Sequence, residues 1–319
     1  GSIGSRHLKN LFDLGHEIFA VDINAENLRK ASLYTKKTFS SLEEALKVKP
    51  DVAFICTYSH DHIAPAIQCA NAGCHLFIEK PLSLSLDGVD ELTGIVNKRN
   101  LISMVGCNMR FHPAVSYIHN TLTSNLSFSK KLWGHFEFGF YLPFDKKDYQ
   151  SSYKAKKSMG GNLIFDGIHE LDCAVWFFGK PAEVICSKSI ISSLKIDTED
   201  HVEMIIKFAS SAVCTIHMDY LQHGYARRHK VVCEEGTIVW DFVNGNIGEV
   251  TTSNREWSWK DMKFDLSYNQ MYVDEVIYFI DCVLNGRETF NSVKQSLPLL
   301  ELAIAANKSC YTNGWERIA

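Results

Sequence analysis

The sequence predicts an α/β protein in two parts: a doubly wound parallel sheet, then an α+β domain of longer antiparallel strands. Three observations carry this. Over roughly the first 110 residues, short and nearly continuous apolar runs alternate with segments of helical composition, the mark of parallel strands covered on both faces. From about Lys131 the apolar pattern changes to alternation, as in strands with one covered face. The length, 319 residues, suits two domains of ordinary size.

The element pattern follows from the same rules. Residues 17–22, 51–56, 74–78 and 101–106 read as buried strands, and 25–34, 41–48, 60–72 and 85–99 as the helices between them. Right-handed crossovers make this half doubly wound. Beyond it, 131–142, 183–191, 201–209, 212–221 and 228–233 alternate, a helix is predicted over 161–178, and helices over 268–284 and 293–312 close the chain. Composition places the division at 1–123 and 124–319, with 124–131 as the junction.

Bulk composition removes several classes of function. Lys and Arg number 33 against 37 Asp and Glu, a formal charge of −4 with no long basic run, which argues against a nucleic acid or anionic membrane as partner. No apolar run reaches the ~20 residues of a membrane helix, and no signal peptide is visible. The ten cysteines are scattered without a CxxC pair. Neither they nor the thirteen histidines show zinc spacing, so no metal is expected and a reducing, cytoplasmic setting is.

Four stretches carry chemistry. Gly1-Ser2-Ile3-Gly4 has the form of the back half of a GxGxxG turn, where the backbone approaches a pyrophosphate at a helix N-terminus; a flexible end fits it too. Asp22, eighteen residues after Gly4, stands where a carboxylate accepts from adenosine ribose hydroxyls and repels a 2′-phosphate, favouring NAD over NADP; it also fits a helix cap. Thr57 and His62, after one predicted strand, and Glu79-Lys80-Pro81, after the next, lie at carboxyl ends of parallel strands, where such sheets bind ligands. Lys80 suits a positioned donor, or a solvated loop lysine. In the helix predicted over 161–178, Ile164, Ile168, Leu171, Val175 and Phe178 form an apolar stripe, with Asp166 and His169 nearly opposite it among aromatics. That pair fits a cleft wall, or a satisfied structural pair.

In this order and spacing the motifs resemble the Gfo/Idh/MocA family of NAD(P)-dependent oxidoreductases over nearly the whole chain. Gly1 to Leu8 is similar to its opening, Glu79-Lys80-Pro81 to its EKP motif, Asn108-Met-Arg110-Phe-His112-Pro113 to its hinge segment, and Gly160 to Asp172 to its GG…D…H…D helix. The resemblance implies a Rossmann domain followed by a domain with a large open, mostly antiparallel sheet, whose exposed face builds homodimers or homotetramers. It makes Lys80 the active-site lysine touching substrate hydroxyl and cofactor, His169 the acid/base, and Asp166 its hydrogen-bonded partner. Arg110, Tyr153 and Asn162 are expected to shape the substrate pocket. Family members often separate the Asp and His by four residues; here the gap is three and Phe165 holds the four-back position. With Tyr141-Leu-Pro143 and Tyr153 ahead of it, this looks like a subgroup tied to nucleotide-sugar and surface-polysaccharide metabolism.

The strand and first glycine of a complete fingerprint are not in the sequence. The expectation from this is a truncated chain, with two strands left unpaired at neighbouring edges and weakened NAD affinity. The activity implied is hydride transfer between NAD(H) and a secondary hydroxyl of a sugar or nucleotide-sugar-like substrate. A non-catalytic sugar- or dinucleotide-sensing regulator of the same fold is the alternative.

Overall fold

The computed structural model describes residues 1–262 and 269–318, which divide into two compact units. The first contains residues 1–108 and, from late in the chain, 269–297; the second contains 109–262 and 298–318. The composition boundary at 123/124 is a single linear cut, whereas the chain visits the first unit twice.

The first unit opens with the helix Ser2–Asp13. Val52–Ile55, His75–Glu79 and Ser103–Gly106 form a three-stranded parallel sheet in that order, joined by the helices Ile63–Ala72 and Val89–Lys98. Leu76, Phe77 and Ile78 are consecutive and all fully buried, which only a strand covered on both faces permits. Ala20–Val21 pairs in parallel with Thr38–Phe39 as a separate two-stranded sheet, so the strand predicted over 17–22 is reduced to two residues. Thr38–Phe39 was too short to stand out from the sequence. The helix predicted over 293–312 begins only at Leu297. The residues before it line the Ser103–Gly106 strand: Val105 donates its N–H to Asn291 O at 2.8 Å, and Asn291 Nδ2 donates to Val105 O at 2.7 Å. This covers backbone groups that an edge strand leaves open.

The second unit is built on a nine-stranded sheet. Its order is Ser258–Asp261, Asn246–Thr251, Gly236–Asp241, Ala226–Cys233, Lys131–Gly139, Val213–Asp219, His201–Phe208, Pro181–Ser189, Glu316–Arg317. Every neighbouring pair is antiparallel except Lys131–Gly139 with Val213–Asp219. The alternation read from the sequence has its cause here: Val202, Met204, Ile206 and Phe208 are buried while Glu203, Ile205 and Lys207 are exposed. The longer helices that accompany the sheet in this unit are Pro113–Ser124, Ile168–Phe178 and Leu297–Thr312.

The helix predicted over 161–178 is two helices, Leu163–Asp166 and Ile168–Phe178, interrupted at Gly167. A Cβ there would stand 2.3 Å from Met218 Sδ, so the bare backbone is what lets the sheet's methionine approach.

Candidate functional site

In the first unit the residues expected at the cofactor begin with the helix Ser2–Asp13. Gly1 at its cap offers no side chain, and the first turn holds no acidic residue, so the leading N–H groups of Ser2, Ile3 and Gly4 are not taken by a capping carboxylate or hydroxyl. A Cβ on Gly4 would lie 3.3 Å from Cys56 Cβ, which fits a glycine that lets the helix pack closely on the strand end. The Gly1 nitrogen is 3.6 Å from Asp22 Oδ2. The Asp22 carboxylate is held by Asn24 N–H at 2.8 Å and Asn27 Nδ2 at 2.9 Å, while the cap of the next helix, Ala25–Ala31, is Asn24. Asp22 is therefore an oriented carboxylate beside the helix terminus. These groups fit a dinucleotide: bare N–H donors for a diphosphate and a fixed acceptor for ribose hydroxyls.

Lys80 follows the strand His75–Glu79 and is half-buried. Its neighbours are fixed from two directions. His7 Nε2 meets Glu79 Oε1 at 2.5 Å inside a nest of Phe54, Phe77 and Tyr272, and Glu79 Oε2 accepts the Lys80 N–H. His62 Nδ1 donates to Pro81 O at 2.8 Å, and its Nε2 faces Thr57 O at 3.3 Å. The peptide between Lys80 and Pro81 is cis. Burial pulls His62 below the usual imidazole range, so it acts as a neutral strut on this loop. His62 and Glu79, expected at the cofactor, are buried and hold the backbone around Lys80, whereas Thr57 is exposed and donates its hydroxyl to Asp61 O.

In the second unit, Asp166 ends its short helix and His169 is the second residue of the next, on either side of Gly167. The Asp166 carboxylate accepts from the hydroxyls of Tyr153 and Tyr220, the latter at 2.9 Å, with Lys154 Nζ 4.0 Å away. Burial first, and the adjacent Asp166 charge second, push Tyr220 well above the ordinary phenol range, so its hydroxyl keeps its proton and donates. Lys154 is also paired to Asp145 at 3.1 Å. Asn162, expected at the substrate, caps the helix Leu163–Asp166 through Ile164 N–H and reaches Asn307 through Nδ2. Glu199 Oε1 accepts the Leu163 N–H at 2.9 Å, bracing the same turn.

Arg110, also expected at the substrate, is buried and forks onto Asp172, with Nη2 to Oδ1 at 2.6 Å and Nε to Oδ2 at 3.0 Å. Trp176 lies under its guanidinium, so Arg110 ties the segment before Pro113 to the helix carrying His169. Glu170, next to His169, is buried against Arg227 and His229, each at 2.8 Å. The sequence reading missed Tyr220, Lys154, Glu199, Arg227 and His229. Tyr220 lies 54 residues from Asp166, and no local spacing joins them. It also found no ligand cluster, yet the fold assembles one from His201, Glu203 and His217.

Comparison with known proteins decides the family. The model of the oxidoreductase family with an NAD-binding Rossmann fold matches residues 1–107, and that of the GFO/IDH/MocA C-terminal domain matches 130–239. The chain belongs to the Gfo/Idh/MocA oxidoreductases. Myo-inositol 2-dehydrogenase of Thermotoga maritima is 26% identical over 97% of this chain and 93% of that protein. UDP-N-acetylglucosamine 3-dehydrogenase of Acidithiobacillus ferrooxidans is 23% identical, covering 77% of this chain and 73% of its own. Among solved structures, a levoglucosan dehydrogenase complexed with NADH and levoglucosan superposes with a TM-score of 0.86 at 19% identity, over 100% of this chain and 97% of that one. As a Gfo/Idh/MocA chain, the protein has the Rossmann-type parallel sheet followed by the large, mostly antiparallel sheet that its motifs implied.

Proposed function

We propose that this chain is an NAD-dependent dehydrogenase that oxidises a secondary hydroxyl of a sugar, cyclitol or nucleotide-sugar. One observation supports it most: a carboxylate clamped by two phenols and a lysine stands just before the helix Ile168–Phe178, whose second residue is His169. A carboxylate oriented in this way, three residues before His169, is suited to stabilise the cation formed when the imidazole takes a proton. His169 is the base that receives the hydroxyl proton. Lys80, on a loop held by His62 and Glu79, stabilises charge developing on the alcohol oxygen. NAD, when bound, supplies the hydride acceptor. The N–H groups of Ser2, Ile3 and Gly4 hold its diphosphate and Asp22 its adenosine ribose. Asp22 also disfavours the 2′-phosphate of NADP by charge repulsion. The printed names of relatives support inositols and UDP-N-acetylhexosamines as first candidates.

The test is NADH formation on a panel of inositols, anhydrosugars and UDP-N-acetylhexosamines, run with NAD and with NADP. His169→Ala is expected to lower kcat by at least about 100-fold, the usual worth of a positioned acid/base, with the NAD dissociation constant within about twofold. Asp22→Ser should narrow the preference for NAD by roughly tenfold, about 1.4 kcal/mol. Unchanged turnover in His169→Ala removes the mechanism. Tight sugar or NAD binding without turnover on any substrate favours the regulatory reading.

We also infer that a second copy packs on the exposed face of the nine-stranded sheet, where Trp133 and Ile205 stand open. Light scattering after gel filtration tests this: a monomeric mass at micromolar concentration rejects it. A cytoplasmic setting is the corresponding proposal for location. All ten cysteines are free thiols, and none of the helices in the described residues is long and apolar enough to cross a membrane.

A further inference from the structure

We propose that His201, Glu203 and His217 form a zinc-class divalent-cation site on the open face of the nine-stranded sheet, with Asp219 as its outer support. Strand geometry makes the cluster. His201 and Glu203 are two apart on one strand and so share a face, as do His217 and Asp219 on the next. The antiparallel register sets Glu203 opposite His217 and His201 opposite Asp219. Ligand atoms of His201, Glu203 and His217 all lie within 4.8 Å of one another.

The hydrogen bonds already have the form of a metal centre. His217 Nε2 is paired with Asp219 Oδ2 at 2.8 Å, an outer-shell bond of the kind that orients a ligating imidazole and would leave Nδ1 for a cation. Asp219 is buried and is itself held by the N–H groups of Leu221 and Gln222 and by Gln222 Nε2. His217 Nδ1 is hydrogen-bonded to Glu203 Oε1 at 2.6 Å, so a proton holds the place that a divalent cation would take by displacing it. His201 Nε2 lies 3.6 Å from the same oxygen, near the separation of two ligands on a tetrahedral zinc with bonds of about 2.0–2.1 Å. Glu203 is half exposed, so it can retreat the several tenths of an ångström that coordination needs. Two imidazoles and one carboxylate select zinc or its chemical neighbours over magnesium and calcium, and leave a fourth position for a further ligand.

The probe is zinc chloride added to the chain of residues 1–319 after chelator treatment, followed by calorimetry, with cobalt(II) as a spectroscopic substitute. Expected are one zinc per chain at micromolar or tighter affinity and visible cobalt bands without thiolate charge transfer. His201→Ala and Glu203→Gln, both on the open face, should each weaken zinc binding at least tenfold. Asp219→Asn should weaken it by about 10–100-fold, as outer-shell partners do. Absence of binding, zinc affinity unchanged in both His201→Ala and Glu203→Gln, or a cobalt spectrum dominated by thiolate ligands would overturn the proposal. None of these readouts depends on dehydrogenase activity, so the site and the proposed reaction stand or fall separately.

Discussion

Glu170 is the residue on which the interior of the second unit depends most. It is 1% exposed and faces two potential cations, Arg227 and His229, at 2.8 Å each. Burial alone would raise its pKa, yet the Arg227 charge and the His229 bond together hold it below the usual carboxylate range. Arg227 therefore remains charged with Glu170 as its counter-ion, and the pair has value only as a pair. Glu170→Gln keeps the shape and removes the charge, leaving a buried guanidinium without compensation. The expected loss is about 3–5 kcal/mol, the scale for breaking a buried ion pair, read as a fall in the urea midpoint. Glu170→Gln together with Arg227→Met should recover much of that loss; a double variant no better than the single one would show that the charge is not the cause. Nothing local in the sequence announced this. Glu170 sits in an apolar helix like an ordinary surface acid, and its partners are 57 and 59 positions downstream.

At the scale of the element, the break at Gly167 governs the candidate site. A continuous helix would set Asp166 and His169 about 60° apart around a single axis, nearly one turn removed along it. The interruption ends one helix on Asp166 and starts another at Ile168, with Met218 filling the space where a side chain would stand. Gly167→Ala should cost about 1–3 kcal/mol by overpacking and lower kcat more than it raises KM. Gly167→Ala with Met218→Ala should regain stability, because the clash is with that sulphur. A stable, fully active single variant would contradict this reading. Asp166 and His169 could be singled out as candidates because they lie within three residues of each other in the chain. The tyrosines clamping Asp166 were not equally so: Tyr153 lies nearby and was singled out, but Tyr220 arrives on a strand whose neighbours the sequence does not specify. The helix pattern itself was read through the glycine, since one residue without a side chain scarcely alters an apolar stripe.

Over the whole molecule, the switch from continuous to alternating apolar strands was legible because it reports how many faces are covered. The return of residues 269–297 to the first unit was not, because it depends on contacts such as Asn291 with Val105 that link positions 186 apart. Buried histidines in both units make acid stability a property of the entire chain. Burial lowers His62 in the first unit and His112 and His229 in the second. For His112, pushed down to about 4, the nearby Arg227 and His229 act in the same direction as burial. Its Nδ1 accepts the Ala114 N–H at the start of the helix Pro113–Ser124, a bond only the neutral ring can make. The unfolded imidazole takes its proton near pH 6.5 while the folded one does not until about pH 4. The stabilisation is therefore complete above pH 6.5 and is lost as pH falls towards 4, by roughly 3 kcal/mol for His112 at 1.4 kcal/mol per pH unit. Chemical denaturation between pH 7.5 and 4 should show stability falling already below pH 6.5, well before carboxylates titrate. His112→Asn retains a capping acceptor but carries no titrating ring, so its stability should fall less steeply over the same window, by up to one proton in the slope. Parallel curves for the two proteins would mean that His112 does not bind its proton differently on folding.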